Sequence, residues 1–144
     1  LLMQAGARPE QLHFSHTPLG KPLCPDSGLY FSLSHSGNFV LCAVAEREVG
    51  ADLEALRTIR PALATRVCSP AELEYVCPQG VFDSERFLSL WTAKEAYLKY
   101  TGEGIATDLR RIETANAGGL FSQLRGLRLL HEKTAEYVST VVIE

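Results

Sequence analysis

The stretch from Asp83 to Gly102, DSERFLSLWTAKEAYLKYTG, constrains the fold more than any other. Asp83 or Ser84 can cap a helix start, no proline or glycine interrupts Glu85 to Tyr100, and Thr101-Gly102 closes the stretch with glycine at C′. The pattern predicts a helix over about Glu85 to Tyr100. At about 100° per residue, Leu90, Ala93, Tyr97 and Tyr100 fall on one arc, flanked by Phe87, Leu98 and Trp91. Such a helix needs an apolar partner surface, and the rest of the chain offers mainly strands to supply it.

The first thirty residues are rich in proline and turn formers, so they read as loop with one short extended piece at Leu12-His13-Phe14-Ser15. Leu29–Leu33 and Phe39–Glu46 read as a hairpin joined by the polar turn Ser34-His35-Ser36-Gly37-Asn38. A third extended run covers Glu48–Glu54. Pro61 opens a short helix over Ala62–Val67. Ser69-Pro70-Ala71-Glu72 starts another, with Ser69 as N-cap and Glu72 closing a capping box; it ends near Cys77-Pro78. Leu109–Glu113, Leu120–His131 and Glu136–Ile143 read as a last antiparallel set, with turns at Gly118-Gly119 and around Lys133-Thr134. Strands first, helices in the middle and strands last make an α+β fold.

Composition narrows the function. The 144 residues are 46% hydrophobic and 22% charged, which excludes disorder. A formal net charge of -3 argues against a nucleic-acid partner. No apolar run approaches the ~18 residues of a membrane span. Cys24, Cys42, Cys68 and Cys77 lack the spacing of a zinc site and read as free thiols, so a cytoplasmic setting is expected.

Three features carry chemistry. Asp52 and Glu54, at i and i+2 of a strand, project to the same face with Cα atoms roughly 7 Å apart. Two such anions repel unless a cation or a basic residue joins them, although a solvated strand end is the plainer reading. On the long helix, Glu95 and Lys99 lie together at i and i+4, as in many surface pairs. Lys94 falls inside the apolar arc, where its amine needs a phosphate or a carboxylate partner. The Ser34-His35-Ser36-Gly37 turn can donate hydrogen bonds to phosphate oxygens, and equally can be an ordinary hairpin turn. Three carboxylates, two lysines, the histidine turn and the loop Gly20-Lys21-Pro22 together suit Mg²⁺ held against a pyrophosphate.

The order GKP, FSLSHSGNFVLCAVA, VGADLEAL and FLSLWTAKEAYLKYTGEGI resembles the 4′-phosphopantetheinyl transferases of the broad-specificity, surfactin-synthetase-activating type. The resemblance runs from about Leu12 to the C-terminus. It implies a pseudo-twofold pair of antiparallel-sheet-plus-helix subdomains, the first incomplete (residues 1–47) and the second spanning 48–144, with coenzyme A bound between them. It implies Mg²⁺-dependent transfer of the phosphopantetheine arm of coenzyme A to a serine of an apo acyl or peptidyl carrier protein, releasing adenosine 3′,5′-bisphosphate. Asp52, Glu54 and Glu95 would hold the metal. Lys94, His35 and Ser34 would meet coenzyme A phosphates, and Gly20, Lys21 and Pro22 the nucleotide end. Glu95, Lys99 and Asp52 would be catalytic, Lys99 assisting deprotonation of the serine if its pKa is lowered, with a carboxylate or a metal-bound water as the alternative base. Arg57, Arg60 and Arg66 would form a docking surface for an acidic carrier helix. The expected state is a monomer or weak oligomer.

Ala51 stands where the family usually has a larger aliphatic residue, and the first half is short, so a segment preceding Leu1 is expected. An inactive relative that binds coenzyme A or a carrier, or a Mg²⁺-dependent phosphohydrolase, would use the same residues.

Overall fold

The computed structural model describes residues 1–104 and 107–144. Ile105, the last residue of the FLSLWTAKEAYLKYTGEGI motif, lies outside them. After a 3-10 turn at Pro9–Gln11 come two short strands, β1 (Ser15–His16) and β2 (Pro22–Leu23), paired antiparallel. The extended piece expected at Leu12–Ser15 is thus displaced toward the proline-rich loop that it pairs with. β3 (Tyr30–Ser36) and β4 (Phe39–Ala45) form a second two-stranded sheet, turned by Gly37-Asn38 alone, with Gly37 in the left-handed region at φ 58°. The turn is shorter than expected, because Ser34, His35 and Ser36 pair with Leu41, Val40 and Phe39 and so belong to the strand.

β5 (Gly50–Ala55) leads into a 3-10 turn at Pro61–Leu63, α1 (Ala64–Val67), α2 (Pro70–Val76) and α3 (Ser84–Thr101). The local signals for these helices are met. Ser69 and Glu72 form the capping box, Asp83 accepts from the Glu85 and Arg86 N–H groups, and Gly102 ends α3 at φ 73°. Two small hairpins come next: β6 (Ala115–Asn116) with β7 (Gly119–Leu120), and β8 (Gln123–Leu124) with β9 (Leu127–Lys133). β10 (Tyr137–Ile143) closes the chain. The run expected as a strand at Leu109–Glu113 is a 3-10 turn over Leu109–Arg111, because the Asp108 carboxylate accepts the Arg110 N–H and caps it.

The main sheet is antiparallel in the order β5-β10-β9-β8, and α3 packs across it. Leu88 and Leu90 of α3 are buried with Val138 and Val142 of β10. Each such side chain contributes roughly 1.5–3 kcal/mol of hydrophobic stabilisation. α3 is buried continuously from Thr92 to Leu98, so it is a central element with more than one covered face. Among the described residues no helix is long and apolar enough to cross a membrane.

Candidate active site at the α3–β5 contact

A single glycine sets the approach of helix to strand. A Cβ on Gly50 would lie 2.0 Å from the Ala96 carbonyl oxygen and 2.4 Å from the Tyr100 nitrogen, so α3 rests directly on the backbone of β5. Two residues along the same face comes Asp52, paired in register with Thr140, whose hydroxyl meets that of Thr92 on α3 at 3.1 Å. Gly50 therefore brings the Asp52 carboxylate level with Glu95 and Lys99 of the helix.

The other edge of β5 is met by the β3–β4 hairpin, and the join is made by hydroxyl groups. Ser32 Oγ accepts the Ala51 N–H at 2.9 Å, and Ser34 Oγ accepts the Leu53 N–H at 3.2 Å while donating to Asp52 Oδ1 at 2.7 Å. Ser36 Oγ donates to Glu54 Oε2 at 2.7 Å. Alternation along β3 points the three serines to one side and leaves His35 on the other, exposed. Lys99 crosses the same seam, its Nζ donating to Asp52 Oδ1 at 2.8 Å and to the Leu33 carbonyl at 3.1 Å.

Asp52 Oδ2 and Glu95 Oε1 are buried without a hydrogen-bond partner. Burial pushes the Asp52 carboxyl above its usual range, against the pull of Lys99 and Ser34. Burial also raises Glu95, and the neighbouring Asp52 charge adds to it. Two largely buried carboxylates, each with a buried oxygen that has no partner, are a donor set suited to a hard cation. Glu54 is engaged elsewhere, accepting from Ser36 and from Arg57. Among the described residues no three acidic, histidine or cysteine side chains converge as a ready-made metal site.

A cleft of about 320 Å³ opens beside these groups. Gly20, Lys21 and Pro22 line one wall, Ser32 and Leu33 of β3 another, and Glu95, Lys99 and Gly102 the third. Lys21 is neutralised within the wall: it pairs with Glu48 and donates to the Tyr100 carbonyl at 3.0 Å.

The structure thus gathers Gly20, Lys21, Pro22, Glu95 and Lys99 around one cleft, with Asp52 and Ser34 behind Lys99. Ser34 is committed to Asp52 and Leu53, which differs from the phosphate contact expected of it. Lys94 departs furthest. Its side chain is fully buried against Glu72, and of the two partners considered for it, phosphate or carboxylate, the structure supplies the carboxylate. Sequence reasoning missed Glu72, which looked fully used as a cap, and Ser32, although the i, i+2, i+4 spacing of Ser32, Ser34 and Ser36 marks a common strand face.

The sequence model of the 4′-phosphopantetheinyl transferase superfamily matches residues 48–142, the stretch that carries Asp52, Glu54, Glu95 and Lys99. The chain is 44% identical over 120 residues to the 4′-phosphopantetheinyl transferase HetI of Nostoc sp., covering 76% of this chain and 49% of that protein. It is 38% identical to psf-1 of Bacillus pumilus, covering 69% and 44%, and 32% identical to Sfp of Bacillus subtilis, covering 68% and 45%. The chain spans about half the length of the curated relatives it matches. With the family's sequence model satisfied over most of its length, and the carboxylate–lysine cluster inside the matched region, this chain belongs to the 4′-phosphopantetheinyl transferase superfamily.

Proposed function

We propose that the chain transfers the 4′-phosphopantetheine arm of coenzyme A to a serine hydroxyl of an apo acyl or peptidyl carrier protein, releasing adenosine 3′,5′-bisphosphate. The observation that carries this reading is the pair of unpartnered oxygens, Asp52 Oδ2 and Glu95 Oε1, next to Lys99 in the cleft wall. Asp52 and Glu95 would hold Mg²⁺, joined by Glu54 once it leaves Arg57. Bound there, Mg²⁺ would neutralise the pyrophosphate charge that grows as the bisphosphate departs.

The protein groups divide the remaining work. Gly20, Lys21 and Pro22 wall the nucleotide end, and exposed His35 is free to meet a phosphate. Ser34 and Lys99 fix the orientation of Asp52. The serine proton would leave toward the same cluster, where Lys99 and the carboxylates are the titratable groups at hand. Arg57, Arg60 and Arg66 are exposed, and Arg57 contacts Glu54, so a carrier's acidic helix docked on them would be next to the site. Four free cysteines support a cytoplasmic location.

Incubating the 144-residue chain with apo carrier, coenzyme A and Mg²⁺ tests the reading by intact-protein mass spectrometry. The expected result is a carrier heavier by one phosphopantetheine. Cleavage of coenzyme A with the carrier unchanged would make the protein a phosphohydrolase, and binding without any cleavage an inactive relative. Carrier modification that survives charge reversal of Arg60 and Arg66 would overturn the docking surface alone.

A further inference from the structure

Lys94 precedes the candidate cation ligand Glu95, yet its ammonium points away from the cleft. Nζ donates to Glu72 Oε2 at 2.6 Å and to the carbonyl oxygens of Leu109 and Ile112, each at 2.7 Å. Both side chains of the ion pair are 0% exposed. An ammonium has three protons, and these three acceptors use all of them. Glu72 is as fully engaged: Oε2 also accepts the Ser69 N–H at 2.8 Å, and Oε1 accepts the Thr114 N–H at 2.7 Å and the Thr114 hydroxyl at 3.2 Å. Lys94 therefore has no donor left for a phosphate.

We infer that Lys94 is a positioning residue that acts through Glu72 and touches no part of coenzyme A. The pair fastens α2 and the segment from Leu109 to Thr114 onto the back of α3. Neighbouring residues on a helix differ by about 100° in direction, so tying Lys94 to one side fixes where Glu95 points on the other. A misplacement of about 1 Å at a catalytic group can cost on the order of 100-fold in rate, so a remote clamp can govern turnover. The kinetic part of this inference rests on the transferase reading; the burial of Lys94 does not.

Two measurements test it. In the first, the native protein is treated with an amine-acylating reagent, with and without coenzyme A, and the labelled lysines are mapped. Lys94 should stay unlabelled in both samples. Labelling of Lys94 that coenzyme A suppresses would overturn the inference, whereas Lys99 failing to gain protection from coenzyme A would count against the transferase reading only.

The second compares Lys94→Met with the double variant Glu72→Gln/Lys94→Met. Removing one partner strands a buried charge, so the single variant should be the worse of the two in both kcat and thermal midpoint. The double variant should lose about tenfold or more in kcat with KM for coenzyme A within about twofold of the parent, the pattern of an interaction that matters in the transition state. A large rise in KM with kcat retained would mark a ligand contact and overturn the inference, as would a double variant with the parent's kcat. Should neither variant fold, the labelling result decides.

Discussion

Ser34 and Asp52 stand on strands that share no backbone ladder, yet the Ser34 hydroxyl donates to Asp52 Oδ1 at 2.7 Å while it accepts the Leu53 N–H. One hydroxyl thus satisfies a buried backbone donor and fixes a buried carboxylate. Ser34→Ala strands the buried Leu53 N–H and leaves Asp52 Oδ1 with Lys99 as its donor, and the expected loss is about 1–3 kcal/mol, read from urea unfolding. Ser36→Ala should cost less, because Glu54 retains Arg57 and is partly exposed. The reverse ranking would refute the seam as described.

Gly50→Ala tests the close contact of α3 with β5. The new methyl would meet the backbone of Ala96 and Tyr100, which cannot rotate aside as a side chain can. Overpacking of this kind costs about 1–3 kcal/mol or more, so the variant should melt well below the parent or fail to fold. A melting temperature equal to the parent's would show that the helix lies further from the strand.

Glu95→Gln separates stability from activity. The substitution removes a buried charge that lies beside Asp52 and has a buried oxygen without a partner. Metal-free variant protein should be more stable than the parent by about 0.5–2 kcal/mol, the size of a typical stabilising substitution. Carrier modification should fall by about 100-fold or more, since a preorganised charge has been lost. Equal stability of the two metal-free proteins would contradict the burial argument, and undiminished turnover would contradict the assignment of Glu95.

Cys68 gives a pH signature far from the cleft. Burial is the main reason its thiol is pushed up from 9.0 to about 12, with the nearby Glu72 adding to it. The unfolded chain releases this proton near 9.0, while the folded protein keeps it until about 12. In that interval the folded state binds more protons, so stability falls as pH rises. Cys68→Ala should remove this part of the alkaline slope in urea midpoints. An unchanged slope would mean that the thiol titrates normally.

The helices were legible in the sequence because their signals act over a few residues: Ser69 with Glu72, Asp83 before α3, Gly102 after it. Asp52 and Glu54 were legible as a same-face pair because strand alternation is a fixed rule. The Ser34-His35-Ser36 segment was not, since residues that favour turns here take strand geometry from their pairing with Phe39, Val40 and Leu41. Lys94 shows where local reasoning stops. Its position inside an apolar arc demands an anion, but that anion sits 22 residues upstream and already serves as a helix cap. Nothing local could show that one carboxylate does both. Leu109–Glu113 has an apolar spacing that suits a strand, while the Asp108 cap that decides its conformation lies just outside the run.

The two lysines of the cleft wall are already paired, Lys21 with Glu48 and Lys99 with Asp52, and Glu95 adds a third carboxylate to the wall. When all are ionised, this wall repels a bare polyanion at short range. On the proposed transfer, a pyrophosphate ester would gain from this wall only by arriving with its own counter-ion, as a chelate and not as a free anion.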